Sequence, residues 1–300
     1  DLTGATTTGV LLARSGAKTV AFFNEEAAAK SQEKGDYGAV IVSSNTRPLP
    51  RDEANEKVKS ATHKLKQMGV THFSKRIDTK LRGGVGTEID AMMDALGEDY
   101  ISIVVPAMPQ SRRILVGGYS IIDGVSLIKT PVAQDVRTPV KESYIPKLLD
   151  GQTRRNVGLV KLDEVLKGVG SIKAALKENR RNGCEVILVD AVSLEDIDQI
   201  AKACIELEWK VVAVDPGPFT SKLAFHRGLI QEEKENLPVC TTINKEQSVL
   251  VVAGSATPVT KKQMERLCET TEHVRVSVEP LNLIDGGDGA TAEVERAVEV

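Results

Sequence analysis

Residues 184–215 read CEVILVDAVSLEDIDQIAKACIELEWKVVAVD: two short apolar runs on either side of one amphipathic segment. Val186 to Val189 and Val211 to Val214 are apolar at every position, with no polar face. Strands that helices cover on both sides read this way, as parallel strands do. Ser193, followed three residues later by Asp196, reads as the capped start of a helix between them. The stretch is therefore a β-α-β unit, and it predicts an α/β fold with a mainly parallel, Rossmann-like sheet.

The same alternation extends outward in both directions. KTVAFF (18–23), YGAVIVSS (37–44), YISIVVPA (100–107), NVGLVKL (156–162) and SVLVVAG (248–254) are further candidate strands. RDEANEKVKSATHKLKQMG (51–69) places Val58, Ala61, Leu65 and Met68 on one helical stripe. DLTGATTTGVLLARSG (1–16) reads as a turn feeding a helix, with Thr3 or Asp1 as the cap. Ligands in such sheets sit beyond the carboxyl ends of the strands. Polar and charged residues gather there: Asn45 to Arg47, Pro106 to Arg113, Asp190, Asp215 to Thr220, and Gly254 to Thr260.

Three hundred residues favour two domains. We expect one over 1–229, a polar connection over 230–247, and the start of a second α/β domain over 248–300. With 41% apolar and 27% charged residues and a net charge of −3, the chain has no electrostatic footprint for nucleic acid or an anionic membrane. The apolar runs are strand-sized and no basic-then-apolar leader opens the chain, so the expected setting is cytoplasmic. Cys184, Cys204, Cys240 and Cys268 lack metal-ligand spacing, and the four histidines are isolated. Walker A, HExxH and GxSxG signatures are absent, and Gly84-Val85-Gly86 lacks both the third glycine and the ribose-binding acid of a nicotinamide site.

RIDTKLRGGVG (76–86) packs acid, cations and glycines just before the amphipathic TEIDAMMDAL. Glycines let a ligand approach the backbone, a helix start favours an anion, and Arg82 offers a two-point fork beside the Lys80 charge. The same residues also permit a plain loop held by an ion pair from Asp78 to Arg82 or Arg76.

DLTGA (1–5), RIDTKLRGGVGTEIDAMMDAL (76–96), VVPAMPQSRRILVGGY (104–119), VDPGPFT (214–220) and VVAGSATPVT (251–260) occur in this order. Together they resemble the four-carbon acid sugar kinase family over essentially the whole chain. The resemblance implies a substrate domain followed by an ATP-binding domain, and phosphorylation of the terminal hydroxyl of a threonate- or erythronate-like acid to its 4-phosphate. A later glycine-rich segment of the family is not recognisable; Gly286-Gly287-Asp288 is a superficial echo, so the chain reads as most of a substrate domain and the start of a nucleotide domain. The family's KIDST-LRGN stands here as RIDTKLRGG, with Lys80 and Gly84 as departures, and Thr6-Thr7 replaces an ND-type pair.

On this reading Arg82, Arg47 and Lys80 face the substrate carboxylate, while Asp78 and Asn45 read its hydroxyls. Asp1 orients or deprotonates the attacking hydroxyl, or else caps the helix it precedes. Gly118 supplies a backbone donor or a tight turn. Gly254, Ser255 and Thr257 approach the phosphates of ATP or form an ordinary βα turn, and Mg²⁺ accompanies the nucleotide on ligands not identified. The sequence leaves a homo-oligomer open. A non-catalytic carboxylate sensor built on the same cleft is the alternative.

Overall fold

The computed structural model describes residues 1–30, 37–135, 137–231, 249–255, 257–270 and 272–299. They fall into two compact units, one within Asp1–Leu237 and one within Pro238–Val300.

Unit 1 begins with α1 (Leu2–Arg14), β1 (Thr19–Phe22), α2 (Glu25–Lys30), β2 (Ala39–Val42) and α3 (Arg51–Gln67). It continues through β3 (Phe73–Arg76), α4 (Val85–Leu96) and β4 (Tyr100–Val104), then a hairpin layer of β5 (Arg113–Val116), β6 (Tyr119–Ile122) and β7 (Val125–Ser126). Next come α5 (Ile145–Asp150), β8 (Val157–Val160), α6 (Leu162–Val165), α7 (Val169–Arg181), β9 (Val186–Val189), α8 (Leu194–Glu206), β10 (Lys210–Asp215) and α9 (Pro218–His226).

The main sheet is five-stranded and wholly parallel, in the order β3-β10-β4-β9-β8. β1 and β2 form a separate parallel pair, and β5-β6-β7 an antiparallel sheet. The α/β class read from residues 184–215 holds. Successive residues of each central strand feed opposite faces: Ile101, Ile187, Val211 and Ala213 enter one apolar core, and Val104, Leu188, Val212 and Val214 the other. The capping box of α8 forms as read, with Asp196 N–H donating to Ser193 Oγ at 3.0 Å. Asp1, not Thr3, caps α1.

One strand was not read from the sequence, and one strand reading fails. Phe73-Ser74-Lys75-Arg76 carries one apolar residue, yet it becomes edge strand β3 because β10 supplies a backbone ladder on its inner side. Residues 249–254 of SVLVVAG form no strand, and Leu250 and Val252 are 89% and 84% exposed. An apolar run becomes a strand only where another strand pairs with it, and unit 2 offers none among the described residues. That unit contains α10 (Pro258–Thr270), α11 (Pro280–Asp285) and α12 (Gly287–Val298). Nearly all of the expected connection at 230–247 lies outside the described residues, as does Cys240; Cys184, Cys204 and Cys268 are free thiols.

Among the described residues no helix is long and apolar enough to cross a membrane, and no group of three or more His, Cys, Asp or Glu stands together as a metal site.

Candidate functional site

The candidate site is assembled from four chain segments that are far apart in sequence. Asp1 caps α1 by accepting the Gly4 N–H on Oδ1 at 2.8 Å, which leaves Oδ2 facing the turn after β2. Arg47 donates to that oxygen through Nη2. Asn45, exposed and left-handed at φ 50°, bends this turn, a conformation that asparagine tolerates better than most residues. Buried Thr46 anchors the turn by donating to Glu88 Oε1 at 2.7 Å in the first turn of α4. The second Glu88 oxygen meets Lys75 Nζ at 2.5 Å, so one buried carboxylate ties the turn after β2 to strand β3.

The chain leaves β3 at Arg76 and turns through Asp78 to Leu81, closed by the Leu81 N–H on the Asp78 carbonyl at 2.8 Å. Leu81 is held left-handed at φ 56° with its side chain in the core. That geometry brings Arg82 back onto Asp78, with Nε to Oδ2 at 2.6 Å, while Nη1 reaches Asp135 Oδ2 at 3.2 Å. Gly83 follows at φ +88°, and a Cβ there would stand 3.3 Å from the Arg47 Cα, Cγ and carbonyl oxygen. Glycine is needed on both counts: the sign of φ and the close approach of the Arg47 backbone. Gln152 pins the same turn, accepting the Gly86 N–H at 3.0 Å and donating to the Gly83 carbonyl at 3.3 Å.

Burial and charge act against one another here. Burial lowers the Arg47 and Arg76 pKa values, penalising their charged forms, while nearby Asp78 opposes the shift. Burial alone would raise Asp78, but the Arg82 hydrogen bond and the charges of Arg82 and Arg47 outweigh it and hold Asp78 below the usual carboxylate range. Asp135 is held at about 2, first by the Thr138 N–H, against an opposing effect of burial, and then by Arg82 and the Arg137 N–H. Asp78 and Asp135 are thus ionised acceptors at neutral pH, and Arg82 is locked between them.

The structure therefore brings together Asp1, Arg47, Asp78 and Arg82 from the residues expected of the site, and adds Arg76 and Asp135. Asp135 lies 53 residues from Arg82, in a stretch without a motif, and no sequence signal marked it. Glu88 and Gln152 were missed, and Thr46 was read only as one of the polar residues at 45–47, because they act by holding neighbouring groups rather than through a recognisable pattern.

Other expected residues stand differently. Lys80 makes no ion pair with a described residue. Gly118 is not in the cluster: its N–H donates to Asp190 Oδ1 at 2.9 Å, and Tyr144, Pro146 and Leu159 crowd it. Asp190 also accepts from the Gly117 and Leu162 N–H groups at 2.5 and 3.0 Å, so it ties β9 to its neighbouring loops. Pro106 to Arg113 lead into the antiparallel layer. In unit 2, Gly254 and Ser255 lie exposed before α10, and Thr257 Oγ1 accepts the Thr260 N–H at 3.3 Å as a helix cap.

A family model described as a sugar-binding N-terminal domain matches residues 1–223. A D-erythronate kinase of Heliobacterium modesticaldum is 36% identical over 93% of this chain and 63% of its own length. A D-threonate kinase of Salmonella typhimurium is 29% identical over 100% of this chain and 66% of its own. The chain thus spans a little under two thirds of these curated relatives. A crystal structure from Bordetella bronchiseptica, a domain-swapped dimer with bound citrate, is 30% identical with a TM-score of 0.63, covering 75% of this chain and 55% of that one.

Proposed function

The chain belongs to the four-carbon acid sugar kinase family, and from that premise we propose that unit 1 binds a threonate- or erythronate-like acid whose terminal hydroxyl receives a phosphoryl group from ATP, giving the 4-phosphate. One observation carries this reading: three guanidinium groups and three carboxylates converge from four separate segments, the start of α1, the ends of β2 and β3, and the turn at Asp135. An acid sugar needs this mixture, a cation for its carboxylate and acceptors for its hydroxyls.

Phosphoryl transfer depends on alignment and charge more than on covalent help from the protein. In the proposed site Arg82 holds Asp78 and Asp135 ionised, leaving their remaining lone pairs to accept substrate hydroxyls. Asn45, exposed beside Arg47, reads a further hydroxyl. Asp1 orients the attacking hydroxyl, while its bonds to Gly4 and Arg47 fix where that carboxylate points. Lys80 adds positive charge at the rim. Gly118 acts at a distance, by shaping the β9 end with Asp190.

The nucleotide falls to residues 248–300, after a connection at 230–247, with the acid-sugar domain at 1–229. Gly254, Ser255 and Thr257 precede the 13-residue α10, and backbone donors at a helix start suit phosphate oxygens. ATP would bring Mg²⁺ held chiefly by its phosphates and water. A homo-oligomer belongs to the same proposal, supported by the dimeric Bordetella bronchiseptica structure.

The test is ADP release by the full-length protein with Mg·ATP and the D and L forms of threonate and erythronate. Turnover with one acid, collapsing in Arg82→Ala, is the expected result. Calorimetric binding of an acid without turnover would replace the kinase with a sensor, and no response to any acid would overturn the ligand class.

A further inference from the structure

Among the described residues the cluster's carboxylates are all engaged, and one of its cations is not. Asp1 is taken by the Gly4 N–H and Arg47, Asp78 by Arg82, and Asp135 by Arg82 together with the Arg137 and Thr138 N–H groups. Arg76 has no ion pair, and its Nε is buried without a hydrogen-bond partner. Its electrostatic neighbours are Asp78 and Asp215, which attract it, and Arg82, which repels it. Asp215 is no counter-ion, because it accepts the Gly217, Phe219 and Thr220 N–H groups and the Thr220 hydroxyl at the start of α9. A half-buried guanidinium with an unmet Nε donor is costly, and an arriving anion relieves that cost.

Gly4 shows that the place of Arg76 is built. A Cβ on Gly4 would clash with Arg76 Nη1 and lie 2.7 Å from Cζ, so the guanidinium rests in the space a side chain would fill. The N-terminal turn of α1, capped by Asp1, thus carries Arg76 against its backbone.

We propose that Arg76, seated on Gly4, is the residue that grips the carboxylate of the acid sugar, with Arg82 serving to hold Asp78 and Asp135. This assignment rests on the acid-sugar reading above and moves the anion contact away from Arg82, whose Nε and Nη1 are already spent on carboxylates. Arg76 offers the planar two-point fork that a carboxylate matches.

The test uses full-length protein, calorimetry with D-erythronate and D-threonate in the absence of nucleotide, and thermal melts of the free protein. Arg76→Met should weaken the acid that wild type binds by about 10- to 100-fold, the range for losing charge-assisted hydrogen bonds. The free variant should melt no lower than wild type, because an unpaired buried charge has been removed. Arg76→Lys should recover part of the affinity. Gly4→Ala, which deletes no charge, should also weaken the acid by displacing Arg76, and the double variant should bind no worse than Arg76→Met alone. Unchanged affinity in Arg76→Met overturns the assignment, as does additive loss in the double variant or a lowered melt that tracks the affinity. If wild type binds neither acid, the acid-sugar reading falls and takes this assignment with it.

Discussion

Arg47 donates to the same Asp1 carboxylate that caps α1 through the Gly4 N–H at 2.8 Å, so one side chain both starts a helix and fixes a site cation. The two roles separate by substitution. Asp1→Ala loses the cap and the pair, and chemical denaturation should show a loss of about 1 kcal/mol from the cap alone. Asp1→Asn keeps a capping oxygen and should be less destabilised, yet turnover should fall in both because Arg47 loses its anion.

Gly83→Ala should destabilise unit 1 and weaken acid binding together. The residue sits at φ +88° with the Arg47 backbone 3.3 Å from any Cβ, so both strain and displacement follow. The left-handed conformation alone costs a non-glycine residue about 1 kcal/mol. A melt and a calorimetric titration of the same sample check it; an intact melt with intact binding would contradict the packing described.

Glu88 is the buried link between Lys75, at 2.5 Å, and Thr46, at 2.7 Å, with side chains of Lys75 and Glu88 only 15% and 9% exposed. Glu88→Ala leaves Lys75 buried without its partner, a change that costs about 3 to 5 kcal/mol in comparable buried pairs. Denaturant unfolding should register that loss. Glu88→Gln, which still accepts from Thr46, should lose less.

Acid should weaken the protein through Asp135. Its folded pKa, about 2, lies below the ordinary 3.8, so the folded state binds this proton less readily than the unfolded chain. The stabilisation is therefore present above 3.8 and disappears as pH falls toward about 2. Asp78 is shifted in the same direction and adds to the slope. Stability measured across this window should fall less steeply in Asp135→Asn than in wild type.

Much of the fold was legible because burial on both faces leaves a local mark. Val186 to Val189 and Val211 to Val214 read as interior strands, and the Ser193 and Asp196 box marks the start of α8. β3 was illegible because its strand character comes from its partner β10 rather than from its own polar residues. Residues 249–254 erred in the opposite direction, apolar enough for a strand but without one to pair with among the described residues.

For the site, the sequence by itself determined which residue types are at hand: Asp1, Arg47, Asp78 and Arg82 stand in polar, charged segments beside strand ends, where a helix cap or a loop ion pair would also explain them. Only the tertiary structure decided how they are spent. Asp135 reaches Arg82 across 53 residues, Gly118 is drawn off to Asp190, and the Arg76 Nε is left buried with no described residue to accept from it. Charge pairing depends on distance in space and on what water is excluded, and neither quantity is written in the spacing of a chain.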